Sequence, residues 1–359
     1  MKVQTELLKD LVAKAVKGAG NNKLIPITSM LALSIEDQKI CLQSTDGTNF
    51  LYVQKHIDST DELYAVVNAD LFSKLIGKLT TEYVELSLLK DMPVLNVVGN
   101  GRYSIELPLD ENGSPIVFPD PVERLRETAP DETGSVKNSV IRNMIDAVKP
   151  SLATTYENPC YTGYYAEELI LATDSYKIAQ LREKFFDSPV LLSAEVVDLL
   201  GIMTEDIKIG RFGTVYVYKT NDIIVYAPEL DGKEDFAVDA ILGLLDSEFA
   251  SACSVRRSEF LAVLDRLSLF ISPYDKNAVT LAFTADGLQI SSKQSNGVEV
   301  LEYTDSDEHE EYTCMVDIEM LAQEAKAVQS DTLTIEYGEA NAIKFVDDKL
   351  TIVIALLED

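Results

Sequence analysis

Val67-Asn68-Ala69-Asp70-Leu71, Leu192-Ser193-Ala194-Glu195-Val196 and Val316-Asp317-Ile318-Glu319-Met320 carry one local signal three times. In each, an aliphatic residue hands over to Asn68, Ser193 or Asp317, whose side-chain oxygen can accept a hydrogen bond from an orphan N–H of a helix starting on the next residue. These caps lie 125 and 124 residues apart in a chain of 359 residues. The chain therefore reads as a module of roughly 120 residues written three times.

Outward from the caps, the segments that precede them alternate apolar and polar residues and read as strand pairs, over 31–53, 164–181 and 279–303. Two more alternating segments follow each helix and end at Ile105-Glu106-Leu107, Tyr226-Ala227-Pro228 and Ile354-Ala355-Leu356. Turn residues separate them, among them Gly99-Asn100-Gly101, Asn221-Asp222 and Asp347-Asp348. Each copy opens with an amphipathic helix, from Thr5 to Lys17, Val136 to Lys149 and Arg257 to Ile271. The module is helix, strands, helix, strands, an α+β fold. Its copies are expected at residues 1–118, 134–245 and 246–359, with a Pro- and acid-rich linker at 119–133. The apolar run from Ala240 to Leu245 predicts a short helix docked at the second joint.

Composition limits what such a chain does. With 46% hydrophobic residues it can bury cores in spite of a net charge of -29. No apolar run is long enough to span a bilayer, and none follows Met1-Lys2 as a secretion signal. Cys41, Cys160, Cys253 and Cys314 are scattered without C-x-x-C spacing, so free thiols in a reducing cytoplasm are expected. An average surface this acidic does not coat nucleic acid, and contact with a polyanion has to come from where the basic residues stand.

Six stretches expected to be helical, 2–18, 69–80, 135–149, 193–204, 256–271 and 316–330, carry formal charges of +2, +1, +2, -2, +1 and -2. An acidic remainder thus surrounds helices that are near neutral or basic. On the first helix Lys2, Lys9 and Lys17 share the side opposite Leu8, Leu11, Val12 and Ala15. Lys74 and Lys78 share a face, as do Arg142 and Lys149. If the modules close a ring with helices inward, these residues line it for a polyanion, together with Lys14, Lys23, Lys137, Arg256, Arg257 and Arg266. The contacts would be to phosphates and independent of base sequence. The two acidic helices, 193–204 and 316–330, run against this trend.

The order of these segments resembles the bacterial-type DNA polymerase III beta subunit, the sliding clamp, along nearly the whole chain. Leu24-Ile25-Pro26-Ile27 and Ser44-Thr45-Asp46-Gly47 are similar to the family's Leu-Pro-Ile and Thr-Asp segments, and the run from Leu171 to Ile178 resembles its Ala-Thr-Asp-Gly-His-Arg-Leu. Ile352-Val353-Ile354-Ala355-Leu356 is similar to its last strand. The resemblance implies three DNA-clamp modules per chain. It further implies a head-to-tail homodimer closed around duplex DNA, and tethering of a polymerase and clamp loader through short peptide motifs.

Carried over residue by residue, the peptide pocket would use Tyr161, Thr173, Ser175, Tyr176, Lys177 and Ile178, with Ile352, Ile354 and Leu356. An apolar groove of this kind suits Leu or Phe anchors. The subunit contact would use Arg102, Tyr103 and Ile105 of an edge strand with Leu269 and Phe270 of a helix end. Ser175-Tyr176-Lys177 departs from Gly-His-Arg, and Asp235-Phe236-Ala237-Val238 stands where the family has Phe-Pro-Asp-Tyr.

Two other classes compete. A metal-dependent hydrolase would need a ligand cluster, yet His56 and His309 have no H-x-x-x-H or Cys spacing, and His309 sits in an acidic run read as a solvated loop. No nucleophile elbow, Walker loop or dinucleotide fingerprint occurs, so neither enzyme activity, metal nor cofactor is expected. A clamp-like scaffold that binds proteins but never encircles DNA is the second alternative.

Overall fold

The structure, a computed structural model, describes residues 1–89, 92–120, 122, 130–271, 274, 277–292, 296–307, 309–338 and 341–358. Most of the expected linker at 119–133 lies outside the described residues. The first module runs β1 (Lys2–Gln4), α1 (Thr5–Ala15), β2 (Met30–Glu36), β3 (Lys39–Thr45), β4 (Phe50–His56), β5 (Leu63–Asn68), α2 (Ala69–Lys78), β6 (Tyr83–Leu88), β7 (Val94–Val98) and β8 (Arg102–Glu106). The second repeats it as β9 (Glu132–Val136), α3 (Asn138–Asn143), β10 (Gly163–Ala166), β11 (Ile170–Thr173), β12 (Lys177–Leu181), β13 (Val190–Ser193), α4 (Ala194–Leu200), β14 (Ile207–Phe212), β15 (Val215–Lys219) and β16 (Ile223–Pro228). After α5 (Val238–Leu245) the third follows as β17 (Ser251–Arg256), α6 (Arg257–Ser268), β18 (Ala278–Thr284), β19 (Gly287–Ser292), β20 (Val298–Leu301), β21 (Tyr312–Asp317), α7 (Ile318–Ala327), β22 (Thr332–Tyr337), β23 (Ala342–Val346) and β24 (Leu350–Ala355).

The three caps do what their chemistry allows. Asn68 accepts from Leu71 N at 2.9 Å, Ser193 from Val196 N at 3.3 Å, and Asp317 from Glu319 N and Met320 N at 2.8 and 3.1 Å. The first and third opening helices begin at Thr5 and Arg257, where periodicity puts them, while the second begins at Asn138 rather than Val136; a short strand precedes each one. Val3, Val136 and Val255 are buried in these strands, β1, β9 and β17, where a β-branched residue packs on the sheet. The second opening helix ends in a π turn (Met144–Val148) and a 3-10 turn (Lys149–Ser151), the latter containing Pro150, which has no N–H to continue the ladder.

The chain divides into two compact units, Met1–Asn138 with Asp198–Glu229, and Ser139–Val197 with Leu230–Asp359. The division cuts through the second module rather than beside it. The cause is sheet continuity: each sheet of that module is hydrogen-bonded to a sheet of a neighbouring module.

In the first unit the eight-stranded sheet has the order β5-β2-β3-β4-β16-β15-β14-β9, beside a four-stranded sheet β1-β6-β7-β8. The joint is β4 against β16, from Val53 opposite Ile223 to Phe50 opposite Tyr226. Leu8, Leu11, Val12 and Ala15 of α1 and Phe72 and Ile76 of α2 supply the buried helix faces. Ile116 and Phe118 cover Ala32 and Val66 on the other side of the sheet, with Phe118 N donating to Tyr64 Oη at 2.9 Å.

In the second unit the eight-stranded sheet is β13-β10-β11-β12-β24-β23-β22-β17 and the four-stranded one β20-β19-β18-β21. Its joint pairs β12 with β24, from Lys177 opposite Ile354 to Leu181 opposite Leu350. The predicted docked helix is α5: Ile241, Leu245, Val238 and Leu242 pack over Leu171, Ile178 and Val353, and Phe236 stacks on Tyr165 at 5.5 Å. Lys344 Nζ reaches the carbonyls of Leu245 and Ser247 at the end of α5, at 3.5 and 3.3 Å, where a cation complements the helix dipole.

The loops Thr45–Asn49 and Thr173–Lys177 are one design used twice. In each the threonine Oγ1 donates to the fifth residue's carbonyl, at 2.6 and 2.7 Å, and the aspartate Oδ1 accepts from the two backbone N–H groups at the fourth and fifth positions. The middle residue takes positive φ, 105° at Gly47 and 79° at Ser175. A side chain at Ser175 makes that conformation costly where glycine would not. Ser175→Gly should raise the unfolding free energy by about 0.5–1 kcal/mol in urea titration; an unchanged midpoint would show that the Asp174 contacts already absorb the strain.

Candidate functional site

Three lysines on α1 and α2 are matched by an acid one turn away. Lys9 pairs with Glu6 at 2.8 Å, Lys14 with Asp10 at 2.6 Å and Lys74 with Asp70 at 2.7 Å. Among the described residues Lys17, Lys78, Lys137 and Arg142 are exposed and make no ion pair. Lys149, at the end of the second opening helix, lines a hollow with Ile145, Asp146, Gln323 and Lys326 between the end of that helix and α7.

The other residues expected to face a polyanion have these surroundings. Lys2 lies on β1, 4.0 Å from Glu85 and over the Tyr83 ring, and Lys23 lies in the loop after α1. Arg256 closes β17 and meets Glu259 at 3.5 Å, while Arg257 Nε donates to Ser330 O at 2.8 Å. Arg266 forms a two-point pair with Glu299 of β20, at 2.8 and 2.5 Å, which lowers the Glu299 carboxyl pKa and raises that of the guanidinium.

The acidic helices differ from each other. On α4 both Glu195 and Asp198 are exposed. On α7 the Asp317 carboxylate is spent on the cap, and Glu324 is fully buried 3.2 Å from Lys177 Nζ. Ser151 Oγ donates to the same carboxylate at 3.1 Å, and Lys177 Nζ also donates to Pro150 O at 2.5 Å and Gln323 Oε1 at 3.3 Å. Burial pushes the Glu324 carboxyl pKa up, with Lys177 pulling it back.

That pair alters the peptide pocket expected from the sequence. Lys177 and Thr173 point inward and hold the hairpin, leaving Tyr176 as its exposed residue, 64% accessible, with Ser175 beside it. Tyr176 O accepts from Ala355 N at 2.9 Å, so the hairpin is fastened to the last strand. Ile352 and Ile354 are fully buried; it is Val353 that shares the outer side with Ile178, Tyr161 and α5. The reason is the strand period of two: Val353 stands opposite Ile178, and its neighbours face the other way. Leu356 is half-buried and lines a groove of about 690 Å³ with Thr280, Thr313, Met315, Asn341 and Leu357. Alternation alone could have separated Val353 from its neighbours; which set faces outward needed the β12–β24 register.

At the expected subunit contact, Arg102 and Tyr103 of β8 are exposed and Ile105 is buried beside Leu95. Leu269 and Phe270, just past α6, are 81% and 54% exposed. The sequence reading put β20 within a strand segment but not at the subunit contact; β20 ends its sheet as β8 ends its own and carries the exposed Val298 and Val300. Only its short alternation, Val298-Glu299-Val300-Leu301, could have marked it.

His309 is not in a solvated loop. Its ring is buried, with Nε2 2.9 Å from Asp305 Oδ1, Nδ1 3.1 Å from Ala252 O and the Tyr303 ring centroid at 3.9 Å. Glu308, beside it in that run, lies outside the described residues. Among the described residues no group of three or more His, Cys, Asp or Glu is placed to hold a metal ion. No helix there is long and apolar enough to cross a membrane. Cys160, Cys253 and Cys314 are buried free thiols, and Cys41 is half-exposed.

Residues 1–112 match the family model of the DNA polymerase III beta subunit, N-terminal domain. No curated protein sequence matches the chain. Its fold is that of solved sliding clamps. The DNA polymerase sliding clamp of Bacillus subtilis is similar with a TM-score of 0.82 at 19% identity, covering 100% of this chain and 98% of that one. The DNA polymerase III beta subunit of Thermotoga maritima gives 0.82 at 19% identity over 99% and 98%. That of Borrelia burgdorferi, solved with a natural product, gives 0.83 at 12% identity over 99% and 98%.

The Lys177–Glu324 pair yields a pH-dependent expectation. Lys177→Met leaves a buried carboxylate without its cation, which costs about 3–5 kcal/mol. With its folded pKa raised further above the unfolded value, Glu324 binds its proton more tightly in the folded state. The deficit should therefore be largest at neutral and alkaline pH and shrink as pH falls through that pKa. Urea titrations of both proteins at pH 5 and pH 8 check this; an equal deficit at both would mean that the loss comes from packing rather than charge.

Proposed function

We propose that this chain, whose first 112 residues match the N-terminal domain of the DNA polymerase III beta subunit and whose full length takes the sliding-clamp fold, is a non-catalytic processivity factor of DNA replication. Two copies join head to tail into a ring around duplex DNA and tether a polymerase in the cytoplasm. The observation that carries this reading is that β8 of the first module and β20 of the third, the counterparts of the strands paired in the joints β4–β16 and β12–β24, end their sheets without a partner strand among the described residues. Exposed edges invite uncontrolled pairing, and closure into a ring removes both at once.

In this reading the helix faces bearing Lys17, Lys78 and Arg142 meet phosphates, and Lys9, Lys14 and Lys74 do so from within their ion pairs. Peptides of the polymerase and of the clamp loader dock in the groove bordered by Leu356 and Met315, next to Tyr176 and the α5 cluster. The mixture of threonine, methionine and leucine there suits a short segment with one or two apolar anchors and backbone hydrogen bonds.

Loaded by its cognate clamp loader onto a nicked circular plasmid, the protein should stay with the DNA through gel filtration in salt that strips electrostatic binders, and leave when the plasmid is linearised. Equal behaviour on circular and linear DNA would overturn encirclement. A dimer that is never retained on circles would favour the scaffold reading instead. Lys17→Glu, Lys78→Glu and Arg142→Glu together should lower loading severalfold without changing the dimer's sedimentation; loss of the dimer would show those residues to be structural.

A further inference from the structure

The two joints inside the chain show how the third, between copies, is built. Equivalent residues can be traced across the modules by strand pairing alone. Val3 is opposite Val84, Val136 opposite Ile207, and Val255 opposite Leu333. Two residues further along, Leu86, Ile209 and Ile335 face Val97, Tyr218 and Phe345, and these in turn face Tyr103, Val225 and Ile352. Tyr103 of β8 thus holds the place that Val225 and Ile352 hold in the internal joints.

The opposite side is traced from the caps. The residues before them, Val67, Leu192 and Val316, pair with Leu31, Tyr164 and Val279. Two residues on, Leu33, Ala166 and Leu281 face Leu42, Ile170 and Ile290. Two more bring Ser44 opposite Leu51, Ala172 opposite Ala179, and Ser292 N donating to Gly297 O at 3.0 Å. Gly297 therefore holds the place of Leu51 and Ala179.

Inside the chain, Leu51 stands opposite Val225 and Ala179 opposite Ile352. From this we infer that β8 of one copy pairs with the β20 edge of a second copy in a single register, with Tyr103 opposite Gly297 and Arg102 opposite Val298. The proposal rests on the closed-ring reading and deepens it.

Side-chain size supports the same register. Along one side the residues grow from Val225 to Ile352 to Tyr103, while along the other they shrink from Leu51 to Ala179 to Gly297. A bulky ring is met by a residue without a side chain, as close packing across a joint requires. The side-chain space at Gly297 is closed by Leu267 Cδ2, 2.8 Å from where a Cβ would stand, and Phe270 Cδ2, 3.3 Å from it, so a Tyr103 ring facing Gly297 lies on that surface, against the exposed Phe270. An aromatic pair at the centre of a contact is where binding energy concentrates. The backbone agrees too. Gln54 N donates to Asp222 O and Arg182 N to Lys349 O, both at 2.8 Å, and the corresponding bond between copies runs from Val300 N to Asn100 O.

Paired cysteines read the register directly. The full-length chain carrying Arg102→Cys with Val298→Cys should oxidise to a covalent dimer on non-reducing gels, because facing Cα atoms in a sheet lie within disulfide reach. Arg102→Cys with Val300→Cys, two residues out of step, should not. Cross-linking of the second pair instead, or of neither in a chain that sediments as a dimer, would overturn the register and leave the ring standing. A chain that stays monomeric at every concentration would overturn the ring itself. Separately, Tyr103→Val and Phe270→Ala should each weaken the dimer, the former roughly tenfold or more. Combined, they should cost less than the product of the two by roughly threefold or more, since each removes the same contact. Independent effects would mean that the two residues do not meet.

Discussion

Antiparallel pairing across the module boundary is the constraint on which the rest of the molecule depends. In β4–β16 and β12–β24 a strand from one repeat completes the hydrogen bonding of a strand from the next. Every backbone N–H and C=O left unpaired in a buried sheet costs free energy comparable to a lost hydrogen bond, so the joint is set as rigidly as the interior of a module. The compact units consequently cut through the second repeat and leave both joints whole. What would be a hinge in a chain of beads is here the middle of an eight-stranded sheet.

The joint also decides how charge is used. Pairing β12 with β24 turns Lys177 inward, where it meets Glu324 of α7, Pro150 O and Gln323. A loop that on sequence grounds belongs to an outer groove is thereby tied to a helix whose next residues, Gln323 and Lys326, line a hollow beside Lys149. Two acids that make α7 look unsuited to a polyanion, Asp317 and Glu324, are occupied by a cap and a buried cation.

Legibility in the sequence followed locality. The three caps, the amphipathic stripes and the docked helix α5 rest on neighbours within one or two turns, and all were readable. The strands ahead of the opening helices were not, since Val3, Val136 and Val255 suit a strand or a helix equally until β6, β14 and β22 lie beside them. The facing of Ile352, Val353 and Ile354 depended on a partner more than 170 residues away. The role of Lys177 depended on a carboxylate on another module's helix. His309 looked solvated because its run is acidic, yet Asp305 and Ala252 hold it down. Resemblance to a family transfers positions, but which way a side chain points is settled by register.

The ion pairs spaced three or four residues apart along α1 and α2 have a kinetic side. In the proposed ring, a lysine already leaning on Glu6, Asp10 or Asp70 would meet a phosphate by exchanging one anion for another of similar strength. On a duplex, whose phosphates recur at regular intervals, such a surface is nearly level in energy from one step to the next. A bare row of cations would drop into register with the backbone and stick. Under the proposed function, self-neutralised lysines interspersed among the bare ones would instead lower that friction, holding the polymer more loosely from step to step.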